Sequence, residues 1–264
     1  MDQKFEKIAR KIMCGMTLFA GDNKYRICEI EFYLYNGEHE DVFVHRHPLQ
    51  KTKMQWYFHH TCDKEHSYKS GTYKGLDITC GDNESYGGIL IRSIYNEDKK
   101  EMIEGPCKIV DEIIEQTKYK DIKDLVVNGL NNNLSVFSNN IFRLQNSSSI
   151  RVPIFTSPRI GLTLKKKDNL DLRKQYIAKL YRYVIYPSYS KKYKKLTLIS
   201  SLFANKNYDY LAEHFNISSS SISKLDFPLI SHYPSLSSSY DSYLSRDLKD
   251  QDRLDLYYIS SINI

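Results

Sequence analysis

Apolar and polar residues alternate along Tyr25–Tyr35 (Tyr-Arg-Ile-Cys-Glu-Ile-Glu-Phe-Tyr-Leu-Tyr), the pattern of a β-strand. Successive side chains leave a strand on opposite faces. That puts Cys28, Ile30, Phe32 and Leu34 on one face and Glu29, Glu31, Tyr33 and Tyr35 on the other. The first face can cover a core. The second sets two carboxylates beside two phenols. Such a face is either a solvated strand edge or a setting that raises a carboxylate pKa and makes a general base.

Elements on either side follow from the same reading. Phe5, Ile8, Ala9, Ile12 and Met13 recur at helical spacing and predict a helix over Asp2–Met13, stopped by Gly15. Thr17–Ala20 reads as a strand that turns through Gly21-Asp22-Asn23 into Tyr25–Tyr35. Asn36–Lys53 is polar and loop-like, Trp56–His60 is an aromatic strand, and Ser70–Thr79 leads into another. Gly87–Ile94 is a strongly apolar strand. Arg92 shares a face there with Leu90 and Ile94, so it either meets a carboxylate inside the protein or reaches water at the strand end.

Gly105-Pro106 opens a helix over Cys107–Gln116, a good place for proline. Asn128–Ser149 is rich in Asn and Ser and reads as a surface insertion around a short strand at Ile141–Leu144. Leu172, Tyr176, Leu180, Tyr183 and Val184 space as one helix ending before Pro187. Leu196–Phe203 and Tyr208–Phe215 read as two shorter helices. Ser218–Ile264 shows no sustained period and reads as a flexible or loosely docked tail. The expected division is a domain over 1–195, a helical extension over 196–217 and the tail over 218–264.

Charge sharpens the picture. The chain is formally +6, yet Arg159–Lys195 alone holds twelve Lys or Arg against Asp168 and Asp171, a local +10 that leaves −4 elsewhere. Tyr176, Tyr181, Tyr183, Tyr186, Tyr189 and Tyr193 interleave with it. Lysines and arginines take phosphates and rings stack on bases, which suits a polyanion; the plain alternative is a solvated helix face followed by a basic loop. The five cysteines are scattered with no CxxC pair, and Met1–Lys11 is too charged for a signal peptide. No apolar run approaches a membrane span. The expectation is an intracellular, reduced protein with no membrane partner. His45, His47, His59, His60, Cys62, His66 and Cys80 are metal-ligand types without the paired spacing of a structural site, which favours histidines and aromatic residues lining a groove.

Several blocks, in order, resemble the alkylpurine (3-methyladenine) DNA glycosylases over about Ile8 to Tyr183. The Glu-Thr-Glu-Ala-Tyr strand of that family is similar to Glu29-Ile30-Glu31-Phe32-Tyr33, and its Leu-Leu-Arg-Ala-Leu to Leu90-Ile91-Arg92-Ser93-Ile94. Its Met-Asn-Ile-Ser is similar to Leu76-Asp77-Ile78-Thr79, its helix-opening Gly-Pro to Gly105-Pro106, and its late Arg-Ile/Val-Gly to Arg159-Ile160-Gly161.

The resemblance implies an α+β fold, a single domain with a curved antiparallel sheet, or partial barrel, flanked by helices. It implies a protein that flips an altered purine out of damaged duplex DNA and hydrolyses its N-glycosidic bond. Glu31 is then the base that activates water, Arg92 holds that water and carboxylate, and Tyr33 stacks on the flipped base. The main chain near Ile160 completes the water site. The family's stacking histidine falls at Val42 here, so the role passes to His45 or His47, and the pocket Asn is replaced by Asp77. Arg159, Lys165, Lys166, Lys167, Arg173 and Lys174 form the DNA-facing rim. Such a protein is a monomer that needs no cofactor and no metal. It works in the nucleus of a eukaryote or on the DNA of a virus. The rival readings are a non-catalytic nucleic-acid binder on the same fold, and a hydrolase or transferase acting on a nucleotide or RNA.

Overall fold

The structure is a computed structural model that describes residues 2–204, 207–232 and 240–262. The chain divides into two compact units, Met1–Pro153 and Ile154–Ile264. The segment 1–195 expected as one domain runs across that division.

In the first unit, α1 (Asp2–Gly15) leads into β1 (Met16–Ala20), which turns through Gly21-Asp22 into the long β2 (Asn23–Asn36). Gly21 takes a positive φ of 58°, and a side chain there would strike the Gln116 carbonyl, so the turn requires glycine. There follow β3 (His39–Glu40), β4 (Lys53–Phe58), β5 (Leu76–Cys80), β6 (Tyr86–Asn96) and β7 (Glu101–Glu104). Then come α2 (Pro106–Thr117), a short α3 (Ile122–Asp124) and β8 (Phe142–Asn146). The strands form a curled antiparallel sheet in the order β4-β5-β6-β2-β1-β8, with β3 added to β2 and β7 to β6.

One face of the sheet is mainly apolar. Ile30, Phe32, Ile78, Ile89, Ile91, Trp56 and Phe58 are buried there, met by Phe5, Ala9, Ile12 and Met13 of α1 and by Ile109, Val110 and Ile113 of α2. Phe5 stacks on Phe32 at 4.4 Å. Burying each such side chain contributes about 1.5–3 kcal/mol. The Asn/Ser-rich stretch is not a surface insertion throughout. Leu130, Val136, Phe142 and Leu144 are buried, and backbone bonds from Trp56 to Leu134 and from Val136 to Met54 fasten it to β4. Its Asn and Ser side chains make local turns, as Asn133 and Ser138 do around Ser135, which gave the composition of a loop to a packed segment.

In the second unit, β9 (Phe155–Ser157) pairs with β10 (Arg182–Val184), and α4 (Leu170–Ile177) lies between them in sequence. The single helix expected through Val184 therefore stops at Ile177. Arg182 is fully buried and donates to the hydroxyls of Ser157 and Thr197, both at 2.7 Å, contacts that hold this stretch as a strand. Next come α5 (Lys194–Ala204), α6 (Tyr208–Phe215), α7 (Ser219–His232) and α8 (Asp250–Ile262). The described part of the expected tail is thus helical, and its Ile222 and Leu254 sit in one core with Phe155, Ile160, Leu196, Leu198 and Phe215. Charged residues hid its apolar period. Asp252 is buried in α8, but Arg246 pairs with it through two bonds at 2.6 and 2.9 Å.

Candidate active site

β2 lies between β1 and β6. Its ladder with β6 is interrupted twice: Ile27 opposes Ile94, Glu29 opposes Ser93, and Ile30 opposes Ile91. Cys28 on β2 and Arg92 on β6 are therefore bulged residues with no directly opposed residue. Bulges re-aim side chains, and strict alternation, which placed Arg92 with Leu90 and Ile94, does not hold through this point.

The Arg92 guanidinium lies between two carboxylates. Its Nε donates to Glu29 Oε1 at 2.9 Å and stands 3.3 Å from Glu31 Oε1, while Nη1 donates to Glu31 Oε2 at 3.5 Å. The Tyr33 hydroxyl donates to the same Glu31 Oε2 at 2.7 Å. Glu31 is fully buried and Glu29 nearly so. Burial opposes the charge on Arg92, but the carboxylates of Glu31 and Glu29 outweigh it and hold the pKa above its ordinary value. The structure thus brings Glu31, Arg92 and Tyr33 together.

Across the sheet Glu31 opposes Leu90, Leu90 opposes Asp77, and Asp77 opposes Tyr57. Directly opposed residues project to one face, and strands stand about 4.8 Å apart, so Asp77 lies two strands from Glu31 on the same face. Asp77 is buried, with His59 Nε2 2.8 Å from its Oδ1 and the Gln50 amide donating to its Oδ2 at 3.4 Å. Gly88 opposes both Tyr33 and Thr79, and a Cβ there would collide with the Asp77 carboxylate and the Gln50 amide.

His45 joins this group from the loop. Its Nδ1 is 3.2 Å from the Tyr57 hydroxyl, and its Nε2 is 2.8 Å from Lys69 Nζ. Crowding of its ring by protein, then the charges of His59 and Lys69, lowers its pKa to about 4. Lys69 is itself lowered by burial, against the pull of Asp77. Gln50, Tyr57 and Lys69 were not expected here as site residues, and His59 was expected only among histidines lining a groove. The aromatic run Trp56–His60, in which Tyr57 and His59 stand two apart, was the sequence signal for those two; Gln50 and Lys69 had none.

The remaining expected residues lie elsewhere. His47 lines a separate cavity whose wall includes neither Glu31, Tyr33 nor Arg92. Ile160 belongs to the core of the second unit. Arg159 and Arg173, expected on a DNA-facing rim, are buried. Arg159 donates to the Tyr176 carbonyl at 3.2 Å, and Arg173 to the Asp168 carbonyl at 2.9 Å and its carboxylate at 3.1 Å. A charge count along the chain cannot separate arginines that satisfy the backbone from those that face water. Lys165, Lys166 and Lys167 are exposed, with Lys165 paired to Asp247 at 2.7 Å; Lys174 is half-buried over the Tyr240 ring.

Among the described residues no three His, Cys, Asp or Glu side chains converge as metal ligands, and no helix is long and apolar enough to cross a membrane. No family model matches the chain. It is 38% identical over 209 residues to "Uncharacterized protein L759" of Acanthamoeba polyphaga mimivirus, an alignment that covers 74% of this chain and 91% of that protein. With that identity over that share of both chains, the protein belongs to the family of the mimivirus protein L759.

Proposed function

We propose that the protein binds DNA and hydrolyses the N-glycosidic bond of an altered purine flipped out of the duplex. The observation that carries the reading is Glu31, a buried carboxylate held by Arg92 and Tyr33 on the polar face of the sheet. In the reaction a water held against Glu31 attacks the sugar C1′ and gives its proton to the carboxylate. The bond from C1′ to the purine nitrogen breaks, and its electron pair leaves with the base. A ring-alkylated purine is already cationic, so it departs neutral without a general acid, and an aromatic wall such as Tyr33 attracts it while bound. Arg92 sets its guanidinium against the Glu31 carboxylate and orients it as the base. Lys165, Lys166, Lys167 and Lys174 supply phosphate contacts. The viral source of the relative supports viral DNA, inside the host cell, as the substrate.

A second reading has its own support. Glu31 is fully buried, and Arg92 and Tyr33 already engage its two oxygens. That is also the signature of a structural ion pair in a nucleic-acid binder without chemistry. Excision assays on duplexes carrying hypoxanthine or alkylated purines separate the two. Base release that Glu31→Gln abolishes supports the enzyme, and DNA binding with no release from any lesion supports the binder.

A further inference from the structure

A cavity of about 350 Å³ in the first unit is lined by His47, His60, Asp63, Glu65, His66 and Tyr68, among others. Its aromatic wall is continuous: His47 stacks on His60 at 4.5 Å, and His60 meets Tyr68 at 4.6 Å. The tautomer of each imidazole follows from its partner. His60 Nδ1 lies 2.6 Å from the Phe58 carbonyl, which can only accept, so Nδ1 carries the proton and Nε2 a bare lone pair. The Leu49 N–H donates to His47 Nδ1 at 3.2 Å, so that nitrogen is bare and the neutral ring holds its proton on Nε2. Burial lowers the pKa of both rings, His60 to about 4, and keeps both neutral at pH 7.

The His47 Nε2–H is buried and makes no hydrogen bond of good geometry; the Cys62 carbonyl lies near it and the Asp63 carboxylate stands 3.9 Å away. Leaving a buried donor poorly met is unfavourable. The wall therefore presents a poorly met donor, an acceptor one ring away, and flat faces beside them. We propose that this cavity binds a nucleobase, which stacks on the Tyr68 ring, accepts from His47 Nε2 and donates to His60 Nε2. An indole offers a face and a donor but no acceptor, a phenol offers donor and acceptor only through one oxygen and so cannot span two groups on different rings, and a simple amide offers both edge groups but no face. A nucleobase offers all three. Asp63 and Glu65 outweigh the one lysine of the lining, Lys64, which disfavours a phosphate, so the base is recognised rather than the anion. The site stands independently of catalysis at Glu31.

Ligand-observed NMR and calorimetry with the full chain test this, using adenosine, AMP, phenol, acetamide and a single-stranded oligo(dA). Adenosine should bind saturably and more tightly than AMP, phenol or acetamide. His60→Phe, which keeps the ring and removes the lone pair, should weaken adenosine about tenfold, the worth of one good hydrogen bond. Tyr68→Leu should weaken it through lost stacking. Oligo(dA) binding tighter than adenosine assigns the site to a base within a strand, and weaker binding assigns it to a free nucleoside. No adenosine binding, phenol binding equally well, tighter AMP binding, or affinity unchanged in both variants would overturn the proposal.

Discussion

Arg92 and Arg159 are both buried arginines. Arg92 meets the carboxylates of Glu29 and Glu31, and the partners of Arg159 include the Tyr176 carbonyl and the Tyr181 ring. Removing Arg92 leaves two buried carboxylates without that cation. Arg92→Ala should therefore cost about 3–5 kcal/mol, read as a lower urea midpoint at unchanged slope. A midpoint within error of wild type would show that the pair is not held as described. His60 gives a pH dependence with a definite sign. Unfolded histidine protonates near pH 6.5, while burial holds folded His60 neutral down to about 4. Between those values the unfolded state binds more protons. The stability tied to His60 is thus intact above pH 6.5, falls as pH drops, and is exhausted near pH 4. The change is roughly 2–3 kcal/mol. Denaturant melts across that range should show a shallower slope for His60→Asn than for wild type, and parallel curves would contradict it.

At the scale of elements, β2 was legible because its alternation carries a buried face and a polar one, and Glu29, Glu31 and Tyr33 could be placed from it. The bulge at Arg92 was not legible, since counting by twos assumes an unbroken ladder. The strand β10 was read as helix because Tyr183 and Val184 extend the spacing of α4, and only the buried bonds of Arg182 to Ser157 and Thr197 decide the matter. Gly88 in β6 was read only as part of an apolar run, although the approach of Asp77 and Gln50 depends on it. Gly88→Ala should cost about 1–3 kcal/mol by overpacking, with loss of the Asp77–Gln50 contact, measured by thermal melting and a crystal structure of the variant. An unaltered melting temperature would show that the two side chains move aside freely.

For the whole molecule, composition misjudged two segments for the same reason: polar residues satisfied inside the protein read as solvated ones. The basic stretch Arg159–Lys195 buries three arginines, Arg159, Arg173 and Arg182, and the Ser-rich end of the chain buries Ile222, Leu254, Leu256 and Ile259. Each of those four side chains contributes about 1.5–3 kcal/mol. Truncation after Phe215 should therefore lower the melting temperature by at least about 10 °C; an unchanged value would return that segment to a dispensable tail. The central claim is that Glu31 activates water at a flipped purine, and single-turnover base release from a panel of damaged duplexes tests it most directly. Wild type should release at least one altered purine, with Glu31→Gln slower by about 10²–10⁴-fold while binding the same duplex equally well. Release that is equally fast in Glu31→Gln, or no release from any lesion by a wild-type protein that binds DNA, would contradict the account.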